Sequence, residues 1–167
     1  TKVPIRVFMT DGLSKRQQPT PENTDIAQFI ELAIALPEYW DFEDLDDPKW
    51  KWPLEWLLKI TNYKLENPEK WLAHGHTFST KSQVAEGLDF SHFMLTDPIE
   101  LESYLYPVDL EAKKVHILVL FPLFENEFIY KGQKGTFKFL RKYRTKNGNE
   151  IIDSFRQSVM HRKWRVF

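Results

Sequence analysis

Cysteine is absent from the 167 residues, which excludes disulfides, thiolate zinc sites, iron–sulfur ligation and any thiol nucleophile, and fits a reducing compartment. The cytoplasm is the expected one. Glycine is scarce, six in all, and none of the six sits in a phosphate-cradling loop, a dinucleotide fingerprint or a Gly-x-Ser-x-Gly elbow. Enzymatic chemistry therefore starts without a nucleophile or a cofactor cradle, and the expectation is a protein that is not an enzyme and carries no cofactor. Long apolar runs are missing too. The longest, Ile117 to Leu123, has the length of a strand and falls far below the ~20 residues of a membrane span. The N-terminus shows no signal-peptide apolar core, so no membrane partner is expected.

What is present suits one ordinary domain: 42% of the residues are apolar, and a chain of this size buries roughly 70% of the surface its unfolded form exposes. The net charge of -1 hides an uneven layout, because Lys131 to Arg165 holds eleven Lys and Arg against Glu150 and Asp153. The remainder is strongly acidic. The basic, aromatic stretch Phe137 to Arg144 could be offered as a nucleic-acid surface, but an amphipathic helix with a solvated Lys/Arg face explains it, and a pI near 6.5 favours that explanation. No nucleic-acid partner is expected.

Periodicity gives the elements. Ile5 to Thr10, β-rich in type and preceded by Pro4, reads as an edge strand, and Asp11 to Asp25 as a long loop. Ala27 to Leu36 alternates, with Ile30, Leu32, Ile34 and Leu36 on one side and Phe29, Glu31, Ala33 and Ala35 on the other; the alanines leave room for a helix. After an acidic turn at Asp41 to Asp47, Trp52 to Ile60 has helical spacing with Pro53 in the first turn. Asn67 then caps a shorter helix running through Trp71. Phe90 to Leu95 and Val115 to Phe121 are strands, the second apolar on both faces as a central strand would be. Pro122 closes it and opens a helix near Leu123. Thr136 to Tyr143 gives a last helix with Phe137, Leu140 and Phe139 inward, and Lys146 to Asn149 is a turn. No repeat or linker divides the chain, so one domain spans 1–167.

Three groups of residues in this order carry a resemblance: Leu36-Pro37-Glu38-Tyr39-Trp40 with Trp52-Pro53-Leu54, then Trp71-Leu72-Ala73-His74-Gly75-His76-Thr77, then Pro122-Leu123-Phe124-Glu125-Asn126-Glu127-Phe128 followed by Gly135 and Leu140. Together they resemble the suppressor of fused domain from about Arg6 to about Leu140, and the ends 1–5 and 148–167 carry no segment of the resemblance. The resemblance implies an α+β fold, a mixed β-sheet flanked by α-helices, and a function of sequestering a protein. Animal members restrain a transcription factor, whereas bacterial single-domain members are thought to be immunity proteins against toxins. A chain of this length resembles the bacterial type, a monomer or weak dimer. Among the motif residues, Trp71, Gly75, His76, Pro122 and Glu127 are expected to serve the scaffold.

Site chemistry is thin. His74 and His76 invite a metal, but zinc takes three or four ligands, and a structural turn at Gly75 explains the pair better; no metal site is expected. Glu125 and Glu127, like Glu100 and Glu102, lie two apart and would diverge on a helix. The first pair suits the positive end of a helix dipole. Five of the six tryptophans lie between Trp40 and Trp71. Trp50 and Trp52 cannot face the same way on a helix, which leaves one of them free to stand beside the acidic rim or both to pack inside. The expected partner surface is therefore Glu43, Asp44, Asp46 and Asp47 with Trp50 or Trp52, docking a basic protein such as a toxin domain. Strand addition at Ile5 to Thr10 is an alternative, as is an enzyme or small-ligand site assembled in three dimensions around His74 and His76. In the tail, Trp164 and Phe167 either pack back as an edge strand or anchor a partner.

Overall fold

A computed structural model describes residues 4–44, 46–81 and 83–160. Its frame is a mixed sheet of six strands: β1 (Ile5–Met9), β2 (Phe29–Pro37), β3 (Thr77–Ser79), β4 (Phe90–Thr96), β5 (Val108–Leu110) and β6 (Lys113–Phe124). Their order is β1-β2-β6-β4-β3, with β5 also paired to β6. The pairing of β2 with β6 is parallel, Phe29 opposite Val115 through Ala33 opposite Val119, and the others are antiparallel. Three helices complete the fold: α1 (Pro48–Glu66), α2 (Glu125–Lys134) and α3 (Thr136–Thr145). This is the expected α+β class, with β1 at one rim and β6 central and buried on both faces.

One sheet face, carrying Ile30, Leu32, Ile34, Leu36, Phe93, Leu95, Leu118 and Leu120, buries Trp52, Leu57 and Ile60 of α1 together with Trp40. On the other, Met94, Phe121 and Leu123 meet Phe139 and Tyr143 of α3. The alanines Ala33 and Ala35 are covered by Leu101 and Leu105, which sit in a turn-rich segment after β4. A helix was expected over them. Instead the chain Glu150–Ile152 wedges beside them: Ala35 bridges to Ile151 in parallel, and Ile152 N–H donates to the Ala35 carbonyl at 2.8 Å. The wedge fills the fork that opens where β2 and β6 stop pairing after Ala33.

Several boundaries differ from the sequence expectations. Helix α1 begins at Pro48, not Trp52, because the Asp47 carboxylate accepts Lys49 N–H and Pro48 supplies the first-turn proline; Pro53 lies inside. Asn67 closes α1, its N–H and side-chain amide both donating to the Tyr63 carbonyl, and no helix follows through Trp71. Pro122 sits within β6 opposite Phe93, and α2 starts at Glu125. A proline is tolerated there because β2 has already left that side of β6, so no ladder donor is lost. Phe137 is 76% exposed, while Phe139 and Tyr143, four apart, form the inward face of α3. Trp164 and Phe167 lie outside the described residues.

Buried Glu31 organises the loop after β1. Its carboxylate accepts N–H bonds from Gly12 (2.9 Å) and Ser14 (2.9 Å) and the Thr10 hydroxyl. Burial pushes the carboxyl's pKa up, but these donors outweigh it and leave the group below its ordinary value of 4.5. Its stabilising contribution is thus complete above that value and is lost as pH falls through the folded-state pKa, because the unfolded chain binds the proton first. We expect the urea midpoint of the wild type to fall more steeply between pH 5 and pH 3, a window set by about that pKa range, than that of Glu31→Gln. Equal slopes would show that this carboxylate contributes nothing to the acid sensitivity.

Candidate partner-binding surface

At the C-terminal end of β2 the chain turns, with Trp40 N–H donating to the Pro37 carbonyl, and drops the Trp40 indole into the core. The indole Nε1 donates to the Trp50 carbonyl at 2.7 Å, and the ring meets Trp50 and Trp52 edge-on at 5.5 and 5.7 Å. Both ends of the acidic loop are thereby tied to α1. Glu43, Asp44 and Asp46 project into solvent along with Asp41. Asp41 accepts the Glu43 N–H at 2.8 Å, while half-buried Asp47 is occupied as the α1 cap. Phe42 folds back on β1, 5.1 Å from Phe8 and beneath the Arg6 guanidinium.

The two tryptophans part as helical spacing requires. Trp52 is 1% exposed, against Phe90 and Phe93, and has no surface to give a partner; its Nε1 has no hydrogen-bond partner among the described residues. Trp50 is half-buried, with the Lys49 ammonium 4.4 Å above its ring. Two aromatics the sequence reading passed over complete the surface. Tyr39 is 43% exposed and Phe155 is 73% exposed, their rings 5.6 Å apart. The Tyr39 hydroxyl donates to Asp153 (2.9 Å) and accepts Ser154 N–H (3.1 Å). Burial, with the Asp153 carboxylate, pushes that hydroxyl up to about 12, so it stays a donor at neutral pH. Nothing local marks Phe155, since its neighbour stands 116 positions earlier in the chain.

The family-motif residues lie elsewhere. Trp71 rests against His76 at 4.7 Å, and burial, reinforced by Lys131, pulls the His76 pKa down. Gly75 has φ 88°, and a Cβ there would come within 2.7 Å of Thr136 Oγ1, so the turn needs glycine on both counts. Gly75 N–H donates to Leu95 and His76 accepts from it, pinning the turn to β4. His74 meets Asp97 at 3.2 Å, a different partner from the Trp71 that His76 meets. Among the described residues no three metal-ligating side chains converge.

Glu127 has no solvent exposure. It accepts the Phe124 N–H at 3.0 Å at the start of α2, the Val159 N–H at 3.0 Å, and two bonds from Arg156 at 2.8 Å each. Arg156 also donates to the Pro122 carbonyl and lies over the rings of Phe124, Phe90 and Tyr143. Arg156 is a further residue the sequence reading missed, and the segment carrying it is part of the folded unit.

No curated protein matches the sequence of this chain. Its fold is similar to that in a crystal structure of the Sufu–Fu complex (TM-score 0.66, 17% identity, 92% of this chain and 69% of that one). It is also similar to Drosophila Suppressor of Fused (TM-score 0.64, 15% identity), of which it covers 38% with 92% of its own length. A SUFU homologue from Neisseria gonorrhoeae FA 1090 matches with TM-score 0.55 and 19% identity over 96% of this chain and 90% of that one. The sequence model of the suppressor of fused protein (SUFU) matches residues 1–157, beyond the Leu140 limit of the motif resemblance and through Arg156. The chain belongs to the suppressor of fused family.

Proposed function

We propose that this chain is a non-enzymatic binding domain that holds and neutralises a basic protein partner in the cytoplasm, as an immunity protein holds a toxin. The observation that carries the reading is the surface at the end of β2, where exposed Glu43, Asp44 and Asp46 follow Tyr39 and Trp40 in the chain, Phe155 lies against Tyr39, and half-buried Trp50 lies against Trp40. Acidic groups speed the approach of a cationic partner, and aromatics seated on a fixed frame slow its release. The frame is fixed because Trp40 and Asp153 hold the aromatics from beneath. Membership of the family supports a binding role, and the solved Sufu–Fu complex shows one member engaging another protein.

The test is affinity capture with the tagged full chain, compared with Glu43→Lys/Asp44→Lys/Asp46→Lys and with Phe155→Ala, followed by co-expression with the captured protein. A basic partner should be retained by the wild type, lose about tenfold or more in affinity with the reversed charges, and arrest growth only when this chain is absent. Equal capture by all three proteins would overturn the placement. A partner that is harmless alone would overturn the neutralising role.

A further inference from the structure

The opposite end of β2 holds a different feature. A cavity of 520 Å³ opens between Asp25–Ala27, which lead into β2, the Leu72–His74 turn, the start of β6 and the segment Asp97–Pro107. That volume lies within the ~300–1,000 Å³ range of small-ligand sites. It is separated from the acidic loop by the length of β2, roughly 25 Å at ~3.3 Å per residue.

Its floor is apolar, built by Leu72, Leu105, Ile117 and Leu118, all buried. Its rim is of one sign. Asp25, Asp97 and Glu102 line the mouth, and neither lysine nor arginine is among the lining residues. Asp25 and Glu102 have no ion-pair partner among the described residues. Asp97 is met by His74 Nδ1, and that hydrogen bond holds its carboxyl below the ordinary range. Tyr106 stands at the same mouth, 62% exposed, an aromatic face with no ring or cation contact among the described residues. Apolar floor, unpaired carboxylates and a free tyrosine face are the elements that recognise an ammonium or guanidinium on a hydrophobic stem.

We infer that this cavity binds a small organic cation, an amine or guanidine carried on an apolar body. The stem displaces water from the apolar lining, where half-buried Ile26, Ala27, Pro98 and Pro107 stand over the buried leucines, and the charge remains between Asp25, Glu102 and the Tyr106 ring. His74 and His116 also face the space; a protonated imidazole there opposes the ligand's charge.

The experiment is a titration of the ¹⁵N-labelled full chain at pH 7.5 with benzamidine, cadaverine and Nα-acetyl-lysine methylamide, using benzamide and 1-pentanol as neutral controls. Saturable amide shifts at Ala27, His74, Asp97 and His116 are expected with the cations. Asp25→Asn/Glu102→Gln should weaken them about tenfold or more, from the loss of charge-assisted contacts. Both positions are exposed and make no hydrogen bond to another part of the chain that the fold depends on, so this variant keeps its fold, which its own spectrum reports. Tighter binding of cadaverine or benzamidine identifies a free small-molecule cation as the ligand source, and tighter binding of the lysine derivative identifies a protein side chain. Equal shifts with the neutral controls, shifts outside the cavity, or binding unaffected by the double substitution would overturn the inference.

Discussion

Glu127→Ala is expected to destabilise the protein by about 3–5 kcal/mol, the cost of stranding one member of a buried ion pair, and to raise the unfolding rate accordingly. The carboxylate is fully buried and uses both oxygens on Arg156, Phe124 N–H and Val159 N–H. Without it, the guanidinium keeps one carbonyl acceptor at Pro122 and a further bond to Gln157, amid three aromatic rings. Arg156→Met should be costly too, because the carboxylate then sits buried on two backbone amides alone. The pair is a unit, so Glu127→Leu/Arg156→Met should recover a substantial part of the sum of the single losses. Urea denaturation of the four proteins checks this. Additive losses, or a Glu127→Ala loss below about 1 kcal/mol, would mean that the pair behaves as a solvated one.

That pair shows where local reading stops. The period of β2, the apolar run of β6 and the loop after β1 were legible because each is written in consecutive residues. Glu127 was legible as an acidic residue in a helix first turn, which it is. Its second role depends on Arg156, 29 positions away, which no local pattern links to it. Pro122 and Asn67 misled for a related reason: proline and asparagine mark boundaries, but whether a boundary opens or closes an element is set by the neighbours in space. With β2 absent beside Pro122, the strand runs on to Phe124.

The surface at the end of β2 was half legible. Alternation of side chains on a helix required Trp50 and Trp52 to part, and burial of Trp52 beside Phe93 decides which one remains. The acidic rim was visible as composition. Tyr39 lay inside a recognised motif but was given no role of its own, and Phe155 reaches it through Asp153 and Ser154, contacts made only after the C-terminal segment has entered the sheet.

The same segment yields the second large effect. Glu150 is fully buried, and its carboxylate accepts three successive amides, Ile99 (2.8 Å), Glu100 (2.9 Å) and Leu101 (2.8 Å). It holds the turn that places Leu101 and Leu105 over Ala33 and Ala35, whose small side chains allow the close approach. Alanine at 150 removes the acceptor and leaves those amides without it, a loss of about 3 kcal/mol; Glu150→Gln, which keeps one carbonyl oxygen, should lose less. The damage has a direction. Leu105, Tyr106 and Pro107 form one wall of the cavity, whereas Glu43, Asp44 and Trp50 stand at the far end of β2 on supports of their own. Glu150→Ala should therefore speed hydrogen exchange at Ile99–Leu101 and weaken benzamidine binding while partner capture through the acidic loop persists at temperatures where the variant is folded. Loss of both activities together, with exchange accelerated throughout the sheet, would show that the Glu150 latch supports the whole fold and that the two surfaces are not separable.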